Sequence, residues 1–256
     1  TPLYSSAASD VYKRQVQNVA STPVNSPIYP LTEIYFRDRE YLNIVYETDK
    51  EALEKVVPEP LKVIDNKIKF EIISMPDATG LGSYMEAGQV IPVEYNGEQG
   101  EFYLSMYVDN QAAIASGREI SAFPKKSGEP NLYVDNDVIV GTLDYRSLRV
   151  AQATMGYDYY KMEDQEAIDA ITQPQFMLKQ FRDYDTTLIK NELTRSQITD
   201  IHLKRAYRSP ARLQLFEHVM APLADFPVRK IVDAQHIIAD LSLGQPEPIY
   251  DYLKDE

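Results

Sequence analysis

The run GREISAFPKKSG, Gly117 to Gly128, sets two adjacent lysines behind an aromatic residue and a proline, with a glycine at each end. An amine is a nucleophile toward carbonyl carbon only when unprotonated, and a lysine with an ordinary pKa near 10.4 is free base in about one molecule per few thousand at pH 7. Bringing that value to pH 6 or 7 takes about 5 kcal/mol of differential stabilisation. A neighbouring ammonium and burial both work in that direction. In an extended stretch Lys125 and Lys126 point to opposite faces, and charges about 10 Å apart repel by about 1.7 kcal/mol at an effective dielectric of 20. Lys126 alone is therefore insufficient. Phe123, two residues before Lys125, shares its face and can wall the amine from water, so desolvation is expected to dominate. An arbitrary Lys-Lys pair after a proline would more often be a solvated turn, and the surrounding motifs decide between the two.

The other reactive side chains are few. Cysteine is absent, which removes thiolate nucleophiles, disulfides and Cys-based metal sites together. The three histidines, His202, His218 and His236, are not spaced i, i+4 and form no H-E-x-x-H pattern, so no metal is expected. The net charge of −13 repels phosphate backbones and anionic lipid heads, which argues against nucleic-acid and membrane partners. The same field repels an anionic substrate, so a site for one needs local cations.

The elements that must position these residues are mostly strands. Tyr-, Ile- and Val-rich runs occur at IYFRDREYLNIVYE, IKFEIISM, GQVIPVEY, GEFYLSMYV, LYVDNDVIVGTLDY and LRVAQATMGYDY. Others follow at FMLKQF, TLIKNELTRSQITDIHLKRAY and KIVDAQHIIADLSL, with turn signals such as Asn96-Gly97 between them. Nine or more strands at hairpin spacing in 256 residues predict a mainly β (α+β) chain: a single-domain antiparallel sheet closed into a barrel or cone, which leaves few open edges. Helices are expected at ALEKV, behind a Thr48/Glu51 capping box and stopped by Pro58, at MEDQEAIDAIT before Pro174, and from Asn110 to Gly117 as N-cap and C′ residues. Residues 1–30 lack apolar periodicity and read as a disordered tail or an arm on a neighbouring subunit, with residues 1–15 suspected to be non-native; residues 31–256 form the domain. No apolar window approaches the length of a membrane span and no signal-peptide pattern opens the chain, so a cytoplasmic protein is expected.

From Arg39 to Leu253 the chain resembles the acetoacetate decarboxylase family. The similarity is carried in order by REYLNIVY, VVPEPL, FEI, GLGSYMEAGQVIPV, GREISAFPKK, VGTLDY, ATMGY, ARLQLFEHVMAPL and IYDYL. The resemblance implies that Lys125 forms a Schiff base and Lys126 is the adjacent ammonium; acetoacetate decarboxylase is itself the standard example of a lysine activated in this way. It places Arg39, Glu71 and Glu86 at the family's other active-site positions, although charged residues in strands ordinarily face solvent. Phe123 and Met106 are candidate apolar walls. The implied reaction converts acetoacetate to acetone and CO2 without metal or organic cofactor, in a homo-oligomer, by resemblance a dodecamer. Two rivals remain at this stage: a Schiff-base aldolase-dehydratase acting on pyruvate and an aldehyde, favoured less because Glu86 and Lys126 are both present, and a non-catalytic barrel binding a small acid.

Overall fold

The computed structural model describes residues 16–254, and the suspicion about residues 1–15 falls outside them. Sixteen strands and three helices of four or more residues organise these residues. The strands are β1 (Tyr35–Glu47), β2 (Lys62–Val63), β3 (Lys67–Ala78), β4 (Gly82–Tyr95), β5 (Glu98–Val108), β6 (Lys125–Ser127), β7 (Glu129–Asp135) and β8 (Val138–Tyr145). They continue as β9 (Leu148–Gly156), β10 (Tyr160–Lys161), β11 (Gln175–Arg182), β12 (Leu188–Ser196), β13 (Ile198–Arg208), β14 (Ala211–Leu215), β15 (Lys230–Leu243) and β16 (Glu247–Asp251). The helices are α1 (Lys50–Glu54), α2 (Gln111–Glu119) and α3 (Asp164–Ile171).

Ten strands run β10-β13-β15-β1-β3-β4-β5-β11-β12-β16 across one sheet, with β2 added on β4 and β6 on β5. A second sheet has the order β14-β9-β8-β7. The pairings are antiparallel except β5 with β6 and β5 with β11. The expected closed barrel or cone is therefore wrong: the end strands of each sheet do not pair with one another, and both sheets stay open. Turn signals and alternation reveal a strand-rich chain, but closure depends on the first and last strands meeting, which local pattern does not carry. The open edges are protected instead by brevity and proline. The edge strand β10 has two residues, and β16 has five including Pro248.

Alternation separates the central strands into two faces. Leu42, Ile44 and Tyr46 of β1 and Ile68, Phe70 and Ile72 of β3 enter the main core, where the second sheet covers them and Ile72 Cδ1 packs against Gly141 of β8. Arg39, Tyr41 and Asn43 of β1 and Lys69, Glu71 and Ile73 of β3 occupy the other face. The expected Asn96-Gly97 turn is present, both residues having positive φ, as a tight turn between β4 and β5 requires.

Two helix boundaries differ from expectation. Asp49 rather than Thr48 stands at the N-cap of α1, its carboxylate paired with Arg229 at 2.9 Å and making no cap bond, so no capping box forms. Asn110 does cap α2, accepting from the Ala113 N–H at 2.9 Å, but the helix continues through Gly117 to Glu119. Ahead of β1, Tyr29 is buried and its hydroxyl donates to Glu119 at the end of α2.

Because Ile72 is fully buried where the two sheets meet, Ile72→Ala is expected to lower stability by about 2–5 kcal/mol. Urea unfolding would show this as a lower midpoint at unchanged slope.

Candidate active site

A single row of paired residues crosses five strands. Asn43 on β1 pairs with Glu71 on β3, Glu71 with Gly88 on β4, Gly88 with Met106 on β5, and Met106 with Lys125 on β6. Neighbours in such a row present side chains to the same face, so the register alone brings Glu71 and Lys125 to one side of the sheet. Glu86 joins them from two residues before Gly88, and Arg39 from the start of β1. A bulge assists: Gln89 pairs with Ser105 while Val90 pairs with Tyr103, leaving Leu104 as the extra residue and turning both Tyr103 and Met106 to the site face. The bulge requires glycine at 88, where a Cβ would lie 2.0 Å from the Ser105 carbonyl oxygen.

Lys125 is 6% exposed, and its Nζ stands 3.0 Å from Glu86 Oε2, at ion-pair distance. The other oxygen, Glu86 Oε1, accepts from Arg39 Nη2 at 3.5 Å. Glu86 therefore sits between two buried cations. Arg39 lies over the rings of Phe36 and Tyr41, each 4.9 Å from its guanidinium carbon, and its Nε has no hydrogen-bond partner. The amine of Lys125 is 5.3 Å from the Tyr84 ring centre and 5.6 Å from that of Phe123. Phe123 packs edge-on against Tyr103, in the apolar cluster that also holds Met106, Val90 and Met177. Apolar surroundings with a few convergent charges are the usual make-up of a small-molecule site.

Glu71 is the most perturbed carboxyl. Burial pushes it up to about 7; Lys69 and Arg39 draw it down, while Glu101 and Glu86 push it further up. Its Oε1 has no hydrogen-bond partner. Lys126 turns to the opposite side of β6, where its ammonium donates to the Met220 carbonyl at 2.6 Å and lies over the Tyr107 and Tyr145 rings. The structure thus gathers Lys125, Glu86 and Arg39 in direct contact, sets Glu71 within electrostatic reach and lines the amine with Phe123. Lys126 is left outside that group. His202, His218 and His236 are elsewhere, and among the described residues no group of three His, Asp or Glu could hold a metal ion.

Two kinds of site residue escape the sequence reading. Lys69 is buried on β3 between Glu71 and Glu101, a pattern visible in retrospect as Lys-x-Glu inside an apolar strand. The other is Gly117, read as a helix terminator. It lies inside α2, facing Lys125, and a Cβ there would come within 2.6 Å of Lys125 Cδ and 2.9 Å of Cε. Its missing side chain is the space the lysine stem occupies.

This arrangement defines a class: a β-sheet protein that buries an amine next to a carboxylate in an aromatic-lined site, equipped to condense with a carbonyl compound. Comparison with known proteins narrows it. The family model described as "Acetoacetate decarboxylase (ADC)" matches residues 20–253. A Streptomyces nogalater acetoacetate decarboxylase is 54% identical over 238 residues, 93% of this chain and 98% of its own. That of Clostridium acetobutylicum is 52% identical over 242 residues, 94% of this chain and 99% of its own. A solved acetoacetate decarboxylase structure superposes with a TM-score of 0.93 at 51% identity, covering 94% of this chain and 99% of the other. The chain belongs to the acetoacetate decarboxylase family.

Gly117→Ala is expected to keep the β-rich circular dichroism spectrum while displacing the Lys125 amine. A misplacement of about 1 Å can cost about 100-fold, so borohydride trapping of a small ketone on Lys125, read by mass spectrometry, should fall at least tenfold.

Proposed function

We propose that this protein converts acetoacetate to acetone and CO2 through an imine on Lys125. The observation that carries the reading is the buried Lys125 amine, 3.0 Å from Glu86, in a chain about half identical to acetoacetate decarboxylases along nearly its whole length.

The amine first loses a proton, for which Glu86 is the adjacent acceptor. It then attacks the ketone carbon, and water leaves to give a protonated imine. The bond to the carboxylate breaks, CO2 departs, and its electron pair moves into the imine to form an enamine. Protonation of the enamine carbon yields the acetone imine, and water releases acetone and the free amine. Summed over the cycle, acetoacetate anion and one proton give acetone and CO2.

In this reading Lys125 is the nucleophile and Glu86 the proton carrier, a role supported by its place against the amine. Arg39 is the buried cation available to the substrate carboxylate, and its 3.5 Å contact also orients Glu86. Glu71, poised near neutrality, holds or returns a proton. Phe123 and Met106 wall the site. Lys126 acts at a distance, by charge and by anchoring β6 to Met220.

We further propose that the protein works as a cytoplasmic homo-oligomer, a dodecamer. The almost fully exposed Val219 and Tyr184 support burial against other copies, and among the described residues no helix is long and apolar enough to cross a membrane. Sedimentation velocity should show one species of about twelve chains; a monomer overturns the assembly.

The test of activity is CO2 and acetone release from acetoacetate by the wild type and by Lys125→Ala, with borohydride trapping in parallel. Release and an adduct in the wild type, both lost in the variant, are expected. Condensation of pyruvate with an aldehyde but no CO2 from acetoacetate would make the protein an aldolase-dehydratase. Binding without any adduct would make it a non-catalytic carrier.

A further inference from the structure

Lys69 is a charged side chain with no part in the chemistry described so far, yet it is 6% exposed in the middle of the sheet. A buried ammonium persists where anions compensate it, and here there are two. Lys69 Nζ is 2.7 Å from Glu101 Oε2 on β5 and 3.5 Å from Glu71 Oε2 on its own strand. Glu71 and Lys69 stand two residues apart, on the face that carries Lys125. Glu101 is the most exposed of the three, at 15% of its side chain. The chain of charges Glu71–Lys69–Glu101 thus leads from the amine site toward the sheet surface.

The reaction inferred above takes up one proton per CO2 released, and a site this enclosed needs a group whose charge state is controlled. We propose that Lys69, clamped by Glu101, is a positioning residue for Glu71: it fixes the carboxyl's orientation and sets the pH at which Glu71 gains and loses its proton. The inference rests on the decarboxylase reading and adds to it a device that none of the reacting atoms touch. The groups facing Glu71 are Arg39 and Tyr41 from β1, Lys69 from β3, Glu86 from β4, and Glu101 and Tyr103 from β5. Lys69 is the cation nearest to Glu71 that is not also held by Glu86, which makes its contribution separable by mutation. Burial holds the Glu71 carboxyl near 7, inside the pH range over which activity is readily followed.

The two partners push Glu71 in opposite directions, and that supplies the test. An ammonium favours the ionised carboxylate, so its removal raises the pH at which Glu71 ionises; a second carboxylate disfavours it, so its removal lowers that pH. The pH profile of kcat/KM for CO2 release is measured for wild type, Glu71→Gln, Lys69→Met, Lys69→Arg and Glu101→Gln, with borohydride trapping of acetone to report the Lys125 amine separately. Glu71→Gln should abolish one inflection near neutrality. Lys69→Met should move that inflection up by about one pH unit or more, Glu101→Gln should move it down, and Lys69→Arg should return it toward the wild-type position. A purely structural role would lower the whole profile without moving it. An inflection that stays in place, or moves the same way in both variants, overturns the proposal. If circular dichroism shows Lys69→Met unfolded, Glu101→Gln decides alone: a downward shift supports the role, and no shift or an upward one refutes it. A wild type that neither releases CO2 nor traps an adduct fails at the decarboxylase reading, and the role of Lys69 falls with it.

Discussion

The structure depends on keeping an amine out of water without leaving its charge alone. Isolated burial of an ammonium costs several kcal/mol, and the protein answers with a carboxylate at 3.0 Å and then a guanidinium on the far side of that carboxylate. Each buried charge calls in another. Glu86 needs Arg39 as well as Lys125, Glu71 needs Lys69, and Lys69 needs Glu101. The result is a connected polar layer on one face of a sheet whose other face is mostly apolar. Such a layer is sustainable only where the backbone is rigid, because a shift in one strand would strand a charge without its partner. A broad antiparallel sheet provides that rigidity, and its register is locked by the apolar face: sliding β3 by one residue would push Phe70 or Ile72 into the site and Glu71 into the core.

Of the site, the lysine pair is legible from its own chemistry and the other charged members from the family resemblance. A lysine behind a phenylalanine in a short extended stretch stands out against its neighbours; Arg39, Glu71 and Glu86, in strands where charged residues ordinarily face solvent, are named by the family resemblance alone. Strand alternation likewise assigned Lys125 and Lys126 to opposite faces. What stayed hidden is long-range. Closure of the sheet was expected from strand number and is absent, since strand count says nothing about which edges meet. Lys69 gives no local signal because its partner Glu101 lies thirty-two residues away on β5, which faces it from the far side of β4. The local meaning of Gly117 is a helix stop, although the helix continues to Glu119. Its actual use, as space for a side chain eight residues later, exists only once β6 has packed beneath α2.

That packing shows how the amine is aimed. The carboxylates and Arg39 come from long central strands, whereas Lys125 comes from a strand of three residues held parallel to β5 by a helical crossover. So short a strand has little pairing of its own, and α2 completes its anchorage. The Phe123 N–H donates to the Gly117 carbonyl, Arg118 Nη1 donates to the Lys125 carbonyl at 3.1 Å, and Ala122 takes a left-handed conformation of φ 65° to make the bend between them. A non-glycine residue in that region stores strain, which the surrounding contacts must hold in place. Lys125 is thus mounted on the part of the site whose position is set by a helix as well as by the sheet. Small movements of α2 would change the distance between Lys125 and Glu86 while leaving Glu86, Arg39 and Glu71 where the sheet puts them.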